Sequence, residues 1–126
     1  SGLQTGLPHR LPGGQRVYAI GDIHGRRDLL QRLLELITKD STDAAGETYL
    51  VFLGDYIDRG LDSRGVIEDL LNLDKKRCTF LMGNHEQVML SVLHTNDSDL
   101  AAQWLRFGGR EAMLSYGVVP PSSGPI

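Results

Sequence analysis

Cysteine is all but missing: Cys78 stands alone among 126 residues. That excludes an internal disulfide framework and fits a reducing compartment. An excess of positive charge is missing as well. Thirteen Lys and Arg against sixteen Asp and Glu leave a formal charge of -3, and a pI near 5.7 gives no electrostatic footprint for nucleic acid. No apolar run approaches the roughly 20 residues that a membrane helix needs. No signal-peptide pattern opens the chain, and Ser1-Gly2 without a methionine reads as an expression remnant. From these absences the expectation is a soluble, cytoplasmic protein with neither nucleic acid nor membrane as partner. At 126 residues it is one domain or part of one, long enough for a core but small for a two-layer enzyme.

What is present is an alternation of apolar strands and amphipathic helices. Residues 1–15 hold Gly6, Gly13 and Gly14 beside Pro8 and Pro12 with no periodicity, which reads as a flexible or edge-lying lead-in. Strands are predicted at 15–20, 48–53 and 78–82. Helices are predicted at 26–39, 63–73 and 86–94, with further helical turns at 99–106 and 111–116 on either side of Phe107-Gly108-Gly109. The first helix carries an apolar stripe of Leu29, Leu30, Leu33, Leu34, Leu36 and Ile37, assigned to the core. Strands alternating with helices at this spacing imply βαβ units and a largely parallel sheet, an α/β fold. The Pro/Gly/Ser tail from Pro120 continues no regular element.

Each predicted strand ends on a glycine followed by side chains of the metal-ligand type. The three stretches are Gly21-Asp22-Ile23-His24-Gly25, Gly54-Asp55-Tyr56-Ile57-Asp58-Arg59-Gly60 and Gly83-Asn84-His85-Glu86. In open α/β sheets the carboxyl ends of strands are where ligands bind. Asp22, His24, Asp55 and Asn84 offer oxygen and imidazole donors without thiolate, a set that suits manganese, iron, magnesium or zinc. Asp55 can bridge two ions about 3.5–4 Å apart, with Asn84 a neutral ligand to the second. Arg59 can grip phosphate oxygens through its planar fork. His85 can protonate a leaving oxygen, with Asp58 holding the imidazole in the required tautomer. Singly, each residue has a plain explanation. Asp or Asn after a strand is usually a turn or cap residue. His24 alone would be a surface histidine and Arg59 alone a solvated charge. His9, His94 and Cys78 carry no site, and Trp104 and Phe107 read as packing residues. The joint occurrence of three motifs in order is what points to chemistry.

These motifs resemble the three amino-terminal signatures of the calcineurin-like metallophosphoesterases. With Asp58-Arg59-Gly60, the second is similar to the serine/threonine phosphoprotein phosphatase branch, which also contains the bacterial symmetrical dinucleoside tetraphosphatases. Residues 16–86 carry the likeness, and Trp104-Leu105-Arg106-Phe107-Gly108-Gly109 through Tyr116-Gly117 is similar to a stretch of bacterial members. The resemblance implies two divalent metal ions, manganese foremost. Asp22 and His24 would hold the first, Asp55 would bridge, and Asn84 would hold the second. His85 and Asp58 would be the general-acid pair. Arg59 would bind the substrate phosphate, with Asn84 and His85 beside it. The implied mechanism is direct attack by a metal-bridging hydroxide.

The family also implies three further metal-binding histidines and a second arginine from a carboxy-terminal half, yet no histidine follows His94. Residues 16–126 are therefore expected to be the amino-terminal part of a two-sheet sandwich, with a sheet face left uncovered and self-association through it. Hydrolysis of phosphoserine or phosphothreonine on protein is the first functional expectation, a phosphorylated small molecule being the other kind of substrate. The alternatives are a dinucleoside polyphosphate hydrolase and a non-catalytic metallophosphoesterase fragment that acts as a binding module.

Overall fold

The computed structural model describes the backbone of Leu3–Gln4 together with residues 15–42 and 46–126. In chain order the elements are β1 (Leu3–Gln4), β2 (Arg16–Ile20), α1 (Arg27–Ser41), β3 (Thr48–Phe52), α2 (Ser63–Leu71), β4 (Cys78–Phe80), α3 (Asn84–His94), α4 (Ser98–Trp104), a kinked link (Leu105–Gly109) and α5 (Arg110–Ser115). Apart from Leu3–Gln4 and Gln15, the lead-in expected at 1–15 lies outside the described residues, as does His9.

The sheet runs β1-β2-β3-β4. β1 is antiparallel to β2, whereas β2, β3 and β4 are mutually parallel, the α/β arrangement expected of the alternating pattern. Register matters most here. Ile20 pairs with Phe52 and Phe52 with Phe80, so the three parallel strands end on one row. The pairing runs one residue further at each seam, Leu53 N–H donating to the Ile20 carbonyl and Leu81 N–H to that of Phe52. Because parallel strands joined by crossover helices all point the same way, every ligand-bearing loop leaves from one edge of the sheet.

Tyr18, Ile20 and Phe52 pack with Leu30 and Ile37 of α1 and Val66 and Leu70 of α2 into the main core. Arg27 of α1 fixes α2 through a two-pronged contact, Nε and Nη2 each 3.0 Å from Asp69 carboxylate oxygens. A second cluster joins Val92, Ala101, Trp104, Ala112 and Met113 from the later helices, with Ile126 of the tail against it.

Several side chains assigned inward from the sequence are exposed instead. In α1, Leu30, Leu33, Leu34 and Ile37 face the core while Leu29 and Leu36 stay exposed. Those two sit one residue off the 30/34/37 row, about 100° around the helix. Leu71, Leu93 and Phe107 are exposed as well. At the β4 margin Leu53, Phe80, Leu81 and Met82 form an exposed apolar strip. Among the described residues no helix is long and apolar enough to cross a membrane.

Phe52 is wholly buried and stacks on Phe80 with ring centroids 5.0 Å apart. Phe52→Ala is expected to lower the free energy of unfolding by about 3–5 kcal/mol in denaturant titration. A loss below about 1 kcal/mol would mean that this row is not the keystone of the core.

Candidate metal and phosphate site

The three loops converge. Asp22, His24 and Asp55 each offer a ligand atom, and these atoms lie within 4.8 Å of one another. His24 Nδ1 is 2.9 Å from the Ile57 carbonyl, which can only accept, so Nδ1 carries the hydrogen and Nε2 is left with its lone pair for an ion. That Nε2 lies 3.6 Å from Asp22 Oδ2. Carboxylates and an imidazole poised through a backbone hydrogen bond are a donor set that fits a hard or borderline divalent cation.

Backbone hydrogen bonds lace the first loop to the second. The Asp55 carbonyl accepts from Ile23 N–H (3.1 Å) and His24 N–H (3.0 Å), and Gly60 N–H donates to the His24 carbonyl at 2.9 Å. Glu86 laces the second loop to the third. Its buried carboxylate accepts from Asp55 N–H (2.7 Å), Tyr56 N–H (2.9 Å) and Gly83 N–H (2.9 Å). The Asp55 side chain answers by accepting His85 N–H at 3.0 Å. Gly83 must be glycine for this contact: a Cβ there would stand 2.4 Å from Asp55 Oδ1. Beneath the clamp the Tyr56 hydroxyl donates to the Leu81 carbonyl at 2.6 Å, and burial pushes its pKa up to about 12.

Among the described residues four non-glycines have positive φ: His24 (45°), Asp55 (57°), Asp58 (75°) and Arg59 (74°). All four were singled out from the sequence as site residues. Left-handed backbone at a non-glycine persists only where its surroundings over-determine it, and such strain gathers at functional sites.

Asp58 lies fully buried, and its Oδ2 accepts from two donors: His85 Nδ1 at 2.8 Å and Trp104 Nε1 at 2.7 Å. Its N–H donates to Ser63 Oγ at 3.0 Å. Burial pushes the Asp58 carboxyl above its ordinary pKa, while the hydrogen bonds from His85 and Trp104 pull it back down. The His85 ring, fixed at Nδ1, meets His24 edge-on with centroids 4.7 Å apart, which places it beside the metal-type cluster. Asn84 opens α3, exposed, between Gly83 and His85, both of which touch Asp55. Arg59 is exposed, its N–H donating to the Gly108 carbonyl at 3.0 Å.

The seven sequence-assigned site residues thus fall on the first two loops and on the first two residues of α3. Two supporting residues escaped that assignment. Glu86 stands in the third motif but was given no role there beyond opening a helix, although Gly83-x-x-Glu86 is a start signal in which the last residue reaches back to the cap N–H. Trp104 had been read as packing; it packs, and it also donates to Asp58, a contact between positions 46 apart that no local pattern announces.

The sequence model for the calcineurin-like phosphoesterases matches residues 15–122. A symmetrical bis(5'-nucleosyl)-tetraphosphatase of Legionella pneumophila is 43% identical over 76 residues, 60% of this chain and 26% of that protein. Serine/threonine-protein phosphatase 2 of Escherichia coli is 38% identical over 96 residues, 75% of this chain and 39% of that protein. A zinc-dependent endopolyphosphatase of Saccharomyces cerevisiae is 37% identical over 90 residues, 69% of this chain and 24% of that protein. The chain therefore spans between a quarter and two fifths of the length of these curated relatives.

Glu86→Gln sets an amide NH2 against two N–H groups whichever way it is turned, those of Asp55 and Gly83 at Oε1 or those of Tyr56 and Ile57 at Oε2. It is expected to weaken manganese binding by roughly 10- to 100-fold, the usual cost of losing an outer-shell partner. Calorimetric titration measures this, and an affinity unchanged within about twofold would remove Glu86 from the site.

Proposed function

The chain belongs to the calcineurin-like phosphoesterase family, and from that premise we propose that it carries the metal- and phosphate-handling part of a serine/threonine protein phosphatase. The observation that supports it best is the juxtaposition of the Asp22/His24/Asp55 cluster with an imidazole, His85, backed by the buried Asp58. Asp22 and His24 would hold one divalent cation, Asp55 would share it with a second, and Asn84 would be a further ligand from this chain to the second. When bound, the pair supplies concentrated positive charge against the phosphate and the Lewis acidity that activates a water.

The remaining chemistry falls to side chains of this chain. Arg59, exposed at the loop tip, takes phosphate oxygens in its fork. As the imidazolium, His85 keeps its Nδ1 hydrogen on Asp58 and gives its Nε2 proton to the leaving alkoxide, returning to the neutral ring. Asn84 and His85 flank the same phosphate from the start of α3. Manganese and a cytoplasmic setting belong to this reading, as does a phosphoprotein or smaller phosphoester substrate. The exposed strip of Leu53, Phe80, Leu81 and Met82 supports self-association through an uncovered sheet.

The Legionella relative favours a second reading, symmetrical hydrolysis of a dinucleoside tetraphosphate. Product analysis with manganese separates the two: inorganic phosphate from a phosphoserine peptide for the first, two nucleoside diphosphates from the tetraphosphate for the second. Neither product, with manganese bound, would leave a non-catalytic binding module. On the preferred substrate Asp55→Asn is expected to abolish turnover, and His85→Asn to keep the metal while slowing turnover by about 10²- to 10⁴-fold. Activity retained by Asp55→Asn, or metal lost from His85→Asn, would overturn the roles given to them.

A further inference from the structure

The segment from Trp104 to Gly109 touches the second loop at two successive residues. The Trp104 indole N–H donates to Asp58 Oδ2, and the Gly108 carbonyl accepts Arg59 N–H. Asp58 and Arg59 are the two consecutive left-handed non-glycines of the site, with φ of 75° and 74°. Between the two contacts the chain kinks: Phe107 (φ -93°, ψ 19°) and Gly108 (φ 109°, ψ -1°) leave helical backbone where α4 gives way to α5. Gly108 turns the chain there with φ of +109°, and a Cβ on it would stand 2.5 Å from Arg59 N. Gly109 lies flat on the indole, where a Cβ would be 2.3 Å from the ring.

Geometry constrains what the indole does. Asp58 Oδ2 is shared by His85 and Trp104, whereas buried Oδ1 has no hydrogen-bond partner among the described residues. Without the indole, the carboxylate would be free to rotate about its last bond and turn either oxygen toward His85. With it, Oδ2 is pinned in one place, and the imidazole that hangs on it is aimed.

We propose that Trp104 is a positioning residue for the general acid, and that the kink at Phe107–Gly108 lets its indole reach Asp58 while the Gly108 carbonyl reaches Arg59. This rests on the reading of His85 as proton donor to the leaving oxygen. No bond is made or broken by Trp104 itself: the proton travels from His85 Nε2 to the leaving alkoxide, and the indole N–H stays on Asp58 throughout.

A test that a purely structural role would not pass uses leaving groups of different acidity. An alkoxide needs protonation as it departs, whereas p-nitrophenolate does not. Trp104→Phe keeps aromatic bulk and removes the N–H. On phosphoserine its kcat should fall by roughly 10- to 100-fold with KM nearly unchanged, and on p-nitrophenyl phosphate by less than about threefold. An equal fall on both substrates, or none on either, would overturn the proposal. His85→Asn is measured alongside. If His85→Asn shows no dependence on the leaving group, the general-acid reading fails and the proposal with it. If His85→Asn shows that dependence and Trp104→Phe does not, the proposal alone fails.

A measurement without substitution covers the case in which Trp104→Phe does not fold. Trp104 is the single tryptophan of the sequence, so ¹⁵N labelling of tryptophan gives one indole resonance. It should lie downfield and exchange slowly with solvent, as a buried N–H on a carboxylate does. A resonance at the free-indole position with rapid exchange would overturn the contact.

Discussion

One carboxylate holds the site together. Glu86 is 9% exposed and gathers four N–H groups, those of Asp55, Tyr56 and Ile57 in the second loop and of Gly83 in the third. Burying a lone carboxylate would be costly, but charge-assisted hydrogen bonds offset the desolvation when most of the lone pairs are used. In return the second and third loops become one unit. Asp55 is held in its left-handed conformation at the point where its side chain faces Asp22 and His24, and His85 N–H is brought onto that same side chain.

The sheet supplies the other half of the constraint. Three parallel strands ending in register at Ile20, Phe52 and Phe80 deliver three loops to one edge. The loops then exchange backbone hydrogen bonds instead of leaving their polar groups to water. Four left-handed non-glycines cost on the order of 1–3 kcal/mol each, and the surrounding contacts must make up that sum. It is the rigid edge that allows a strained, acid-rich loop to be kept at all, and a strained loop is what turns Asp55, Asp58 and Arg59 toward separate tasks within five residues.

Much of this was legible in the chain because it is periodic. Strand–helix alternation and the glycine that closes each strand located the sheet edge, and the ligand-type residues followed directly from the motifs. The boundaries slipped where a loop-like motif is itself helical. Asn84 and His85 were read as loop, whereas α3 already begins at Asn84, because Gly83 and Glu86 together cap it. Burial slipped where an apolar residue lies off the packed row, as at Leu29 and Leu36. What the sequence could not announce was contact at a distance. Trp104 reaches Asp58, and Gly108 reaches Arg59, only after the later helices have packed beside α3. An indole N–H in a helix carries no mark of where it will donate.

Locating the metal directly tests the central claim, that the three strand ends build one cation site. Crystals of the protein grown with manganese and measured at the manganese absorption edge should give an anomalous peak bonded to His24 Nε2 and to the carboxylates of Asp22 and Asp55. Manganese bound elsewhere, with nothing between those three side chains, would contradict it.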